Sequence, residues 1–159
     1  MKKTFLFNKT SRRQEGISLI EVLIAVLLLS IGFLGVAALV ASGTSTNTSA
    51  MTRSMASFDL YSMMDMLRMD PAMAQGGKYN TTVKASACPV VDTTSTNMTS
   101  QNLNTWCKQL AQDLGKRDTT TGTIACDDQK VCTVTIVFDD SKAGLSGKSK
   151  QTVTSKAML

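Results

Sequence analysis

One stretch dominates the hydrophobic pattern of this chain. From Val22 to Ala41 run twenty consecutive uncharged residues, VLIAVLLLSIGFLGVAALVA. As a helix rising ~1.5 Å per residue, that run spans roughly 30 Å, the hydrocarbon thickness of a bilayer. Lys2, Lys3, Lys9, Arg12 and Arg13 precede it, and no further cation occurs until Arg53. This asymmetry predicts a single membrane pass with the N-terminus in the cytoplasm and the bulk of the chain outside. A secretory signal peptide has a shorter apolar core of about 7–15 residues, so Val40-Ala41-Ser42 is a weak cleavage site of that kind.

Beyond the run the pattern changes several times. Residues 42–50 (SGTSTNTSA) are polar and read as a linker or a continuing helix. Met51, Met55, Phe58, Tyr61, Met64 and Leu67 then recur at helical spacing, with Met63 and Met66 beside them, and are expected to face a core. Asp70-Pro71 closes this helix and Gly76-Gly77 opens a loop. Residues 80–105, rich in Thr, Ser and Asn, read as irregular with one short strand at most. A short helix is predicted over 103–115, with Leu103, Trp106 or Cys107, Leu110 and Leu114 on one face and Gly115 as its stop. The clearest hairpin joins 122–126 to 131–138 through Asp127-Asp128-Gln129-Lys130. A loop over 139–148, with Gly144 and Gly147, leads to a last strand over 151–156.

Composition narrows the chemistry. The chain has 159 residues, no His, and a net charge of +5, of which residues 1–16 supply +4. The basic balance therefore reports a short leader, and direct nucleic-acid binding is not supported. Without His there is no Ser-His-Asp triad and no His-ligated zinc. No phosphate loop or nucleophile–base pair is present, so an enzyme is not expected. Asp127-Asp128 and Asp139-Asp140 do not fit a calcium-loop pattern, and no metal or cofactor is expected. The four cysteines, Cys88, Cys107, Cys126 and Cys132, all follow the apolar run, on the side where disulfides form. They allow three pairings. Cys126 and Cys132 flank the hairpin loop, which favours that pair and leaves Cys88 with Cys107.

Glu21 is the residue that asks for more than an anchor. It stands at the head of the apolar run, where an unpaired carboxylate costs a few kcal/mol. Cleavage after Gly16 would give Ile17 a free amine one helical turn away, able to pair with Glu21 of its own chain or of a neighbour. The sequence Gly16-Ile17-Ser18-Leu19-Ile20-Glu21-Val22-Leu23-Ile24-Ala25 resembles the class III signal of type IV prepilins and pseudopilins. The resemblance implies cleavage by a prepilin peptidase between Gly16 and Ile17, N-methylation of Ile17, and a role for Glu21 as the carboxylate that sets assembly register. Ile17 departs from the family's commonest residue there, Phe. Gly32 and Gly35 in the apolar run suit close helix packing, or a stretch that loosens on assembly.

The later motifs carry a finer resemblance. Asp65-Met66-Leu67-Arg68-Met69-Asp70-Pro71, the Trp106 helix and the hairpin ending Phe138-Asp139-Asp140 are similar to the PilV group of minor pilins, the type IV pilus modification proteins, with residues 80–102 unmatched. The expected fold is α+β and pilin-like. One long helix from about residue 17 to 70 has a membrane-spanning first half and packs its second half on a small antiparallel sheet. The expected division is a leader (1–16), a membrane and assembly segment (17–41) and a periplasmic head (42–159). The implied partners are the prepilin peptidase, other major and minor pilins, the inner-membrane assembly platform and the lipid bilayer. Two other roles share these features: a type II secretion pseudopilin, and a single-pass anchored periplasmic binding domain.

Overall fold

The computed structural model describes residues 16–91, 97–141 and 149–159. The basic leader residues Lys2, Lys3, Lys9, Arg12 and Arg13, and the loop glycines Gly144 and Gly147, lie outside the described residues. The chain divides into two compact units, residues 1–40 and 41–159.

The first helix, α1, runs Leu19–Met69 and so includes the polar stretch 42–50. That stretch stays helical despite its Ser and Thr content because hydroxyls bond back one turn. Thr46 donates to the Ser42 carbonyl and Thr48 to the Thr44 carbonyl, each at 3.0 Å. Such back-bonding satisfies the side chain within the helix, where these residues otherwise compete with it. Asp70 interrupts the helix, and Pro71, at the first position of the short helix α2 (Pro71–Gln75), needs no N–H partner.

In the larger unit four strands form one antiparallel sheet in the order β1-β2-β3-β4. They are β1 (Thr81–Lys84), β2 (Thr121–Cys126), β3 (Val131–Phe138) and β4 (Gln151–Met158). Helix α3 (Met98–Asp113) is inserted between β1 and β2. It begins five residues ahead of the 103 start read from the apolar spacing, because Asn97 caps it: the Asn97 carboxamide accepts from the Thr99 N–H at 3.1 Å. The described residues within 80–105 are thus more regular than their polar composition suggests. Gly115, at φ 97°, turns the chain after α3.

The β2–β3 hairpin turns through three residues, Asp128 to Lys130. Lys130 takes the left-handed conformation at φ 64°. The Asp127 carboxylate braces the turn by accepting from the N–H groups of Gln129 and Val131, at 3.0 and 2.9 Å. Strict alternation follows in β3, where Cys132, Val134, Ile136 and Phe138 are buried.

The core gathers Leu60, Met63, Met64 and Leu67 of α1, Trp106 and Leu110 of α3, and Ile124, Val134, Ile136 and Phe138 of the sheet. Helix α3 approaches the sheet closely at Gly122. A Cβ there would meet the Trp106 ring at 2.3 Å and the Leu110 side chain at 2.7 Å. The buried face of α1 differs from the stripe its large residues suggest. Ser49, Ala56, Asp59, Leu60, Met63, Met64 and Leu67 are buried, whereas Met51, Phe58 and Tyr61 are exposed. Small residues at 49 and 56 let neighbouring elements come close, and this sets the buried face. Long side chains at 51, 58 and 61 point away. The architecture is α+β: a long N-terminal helix whose later turns pack on a small four-stranded antiparallel sheet, consistent with a pilin-like fold.

Candidate processing and assembly site

Gly16, Ile17 and Ser18 precede the first turn of α1. The Ser18 carbonyl accepts from the N–H groups of Glu21 and Val22, at 3.0 and 3.3 Å, and so opens the helix. Ile17 thus lies just ahead of the helix and Glu21 in its first turn. Both are exposed, Ile17 at 77%. Among the described residues nothing lies within 4 Å of where a Gly16 Cβ would stand. Glu21 is the acidic residue of the first turn, where the helix's free N–H groups favour negative charge.

Beyond Glu21 every residue from Val22 to Ala41 is exposed. This part of α1 is long and apolar enough to cross a membrane, and none of it is buried within the protein. Gly32 and Gly35 meet nothing within 4 Å at the position of a Cβ, so no contact among the described residues calls for their small size. An apolar surface this extended marks a site that lipid or another protein covers.

The cysteines lie apart from this site, in the 41–159 unit. Cys88 is joined to Cys107, tying the segment after β1 to α3, and Cys126 to Cys132 across the hairpin. Among the described residues no group of three or more His, Cys, Asp or Glu side chains gathers to hold a metal. Sequence reasoning missed a buried carboxylate, Asp140. It accepts from the Ser49 hydroxyl at 2.6 Å and from Arg53 Nε and Nη2 at 3.1 and 3.0 Å, locking α1 to the end of β3. The available signal was Arg53 itself, the first cation after the apolar run, standing in a Ser- and Thr-rich stretch.

The family described as prokaryotic N-terminal methylation motif matches residues 11–37, which include Gly16, Ile17, Glu21 and most of the apolar run. No curated protein and no solved structure matches the chain. The match covers only the start of the chain, and there it supports a type IV pilin-like N-terminal segment.

Proposed function

We propose that the protein is a minor pilin of a type IV pilus, a structural subunit that enters the fibre or primes its assembly. Prepilin peptidase cuts between Gly16 and Ile17 on the cytoplasmic face and methylates the Ile17 amine. Residues 17–41 hold the mature chain in the inner membrane, with residues 42–159 as a periplasmic head. Glu21 pairs with the N-terminal amine of an adjacent subunit as the apolar helices bundle. The observation that carries this reading is a coincidence of features. A methylation motif over 11–37 overlaps most of a run of twenty uncharged residues, all exposed from Val22 to Ala41. A carboxylate within an otherwise uncharged apolar bundle is stabilised by a partner charge, which the new amine supplies. The order of later motifs, from Asp65–Pro71 through Trp106 to Phe138-Asp139-Asp140, favours a subunit of the PilV kind over a secretion pseudopilin.

Intact mass of the membrane-extracted protein tests the processing step. A chain starting at methylated Ile17 is expected. One retaining Met1 to Gly16 would remove the pilin reading and leave an anchored domain. Deletion then separates the pilus from the secretion system: loss of twitching with normal exoprotein secretion is expected. The reverse result would assign the protein to secretion. Glu21→Ala should leave cleavage intact while subunits fail to enter the fibre.

A further inference from the structure

The best-buried carboxyl group among the described residues takes no part in the site above. Asp59, on α1, is fully buried at 0% exposure, and neither of its carboxylate oxygens has a hydrogen-bond donor. An unpartnered buried carboxylate costs more than most folds sustain. What faces it is a second carboxyl, Asp113 in the last turn of α3. Leu110 and then Trp106 follow Asp113 toward the N-terminus of α3, at the spacing of one helix face. The Trp106 indole N–H donates to the Asp59 backbone carbonyl at 3.0 Å. The contact that seats the tryptophan thus brings this face of α3 against α1 at Asp59.

Among the described residues the neighbouring cations are already engaged. Arg53 of α1 is held by Asp140, and Arg117, which follows α3, by Asp139 at 2.9 Å. The inward positions of the sheet, Gly122, Ile124, Val134, Ile136 and Phe138, carry no charge. A buried carboxylate with a second, half-buried carboxylate beside it is repelled by it; a single proton converts one of them into a donor for the other. Asp113 lines a cleft of ≈160 Å³ with Thr48, Ser49, Thr52, Arg117, Asp139 and Asp140, which gives that proton a way to solvent.

We propose that Asp59 and Asp113 share one proton across the α1–α3 contact, so that the seating of α3 on α1 is a proton-gated latch. On opening, the Asp59 O–H bond breaks, the proton leaves to water, and two negative charges remain in the contact. Burial first, then the Asp113 charge, raise the pKa of Asp59 from the ordinary 3.8 to about 7. The sign follows from proton counting. The unfolded chain releases this proton near 3.8, whereas the folded chain keeps it to about 7. Stability from this pair is therefore greatest at low pH and declines as pH rises through that window, with no further change above it.

The test uses the full-length protein in detergent, with unfolding followed by Trp106 emission, the chain having a single tryptophan. Between about pH 5 and 7 the unfolding equilibrium constant of the wild type should rise by up to about tenfold per pH unit. Asp59→Asn, which keeps a donor toward Asp113 and carries no charge, should remove that slope. Parallel pH profiles for wild type and variant would overturn the proposal. Infrared spectra of the wild type and of Asp113→Asn give a second readout, independent of whether Asp59→Asn folds. A protonated-carboxyl band should persist at about pH 6 in the wild type and vanish by about pH 8. In Asp113→Asn that band should vanish at lower pH, because the facing charge is gone. Absence of the band near pH 6, or an unmoved midpoint in Asp113→Asn, would overturn proton sharing.

Discussion

The early and late turns of α1 share one backbone element and nothing else. From residue 22 to 41 the side chains are almost wholly apolar, and every one is exposed. From 49 to 67 the sequence mixes Ser, Thr, Arg and Asp with Met and Leu, and there a buried face forms. The more hydrophobic stretch is thus the less buried within the chain. Apolar content measures how strongly a segment leaves water; what covers it depends on what else the chain places nearby. The late turns find α3 and a sheet. The early turns are not buried by the described residues and present an extended apolar surface.

The largest test of this contrast makes one substitution twice on the same helix. Leu60→Ala should destabilise the head by about 2–5 kcal/mol in thermal or urea unfolding, because Leu60 is 2% exposed and its loss leaves a cavity. Leu28→Ala should leave the same unfolding transition in place, since Leu28 is 63% exposed and lies outside the core. Equal effects of the two would dissolve the distinction. Next in size is the Cys88–Cys107 bridge, whose cysteines are 19 residues apart in sequence. Replacing both by Ser should cost the head about 3 kcal/mol, read in non-reducing unfolding, without changing membrane extraction. Gly122→Ala should cost about 1–3 kcal/mol by forcing the Trp106 ring from its seat, with a change in near-ultraviolet dichroism as a second sign. The smallest effect sharpens the contrast within the late turns themselves. Phe58→Ala should shift the stability of the isolated protein by less than about 0.5 kcal/mol, since Phe58 is exposed. A larger shift would mean that Phe58 is covered in the isolated molecule.

Several elements are legible because their signals are local. The β2–β3 hairpin follows from alternation in Val131–Phe138 and from turn residues between the strands. The break at Asp70-Pro71 follows from the ring of proline. The start of the apolar helix at Leu19, close behind Gly16 and Ile17, follows from the apolar run that begins there. The α3 start is less legible: Asn97 sits among polar residues, and a cap announces itself only when a helix follows. The buried face of α1 departs from its sequence pattern for a physical reason. Large side chains mark hydrophobic potential, but close packing is decided as much by small ones, and Ser49 and Ala56 carry no visible signal in one dimension.

The sequence by itself determined the membrane-length helix, its charge asymmetry, the processing-like signal and the hairpin, all of which rest on neighbours along the chain. Only the tertiary structure decided which face of α1 is buried, that Asp140 meets Arg53 and Ser49 across 87 and 91 residues, and that Asp59 faces Asp113. Those contacts join groups far apart in sequence, and no local propensity or periodicity carries information about which distant surface a side chain will meet.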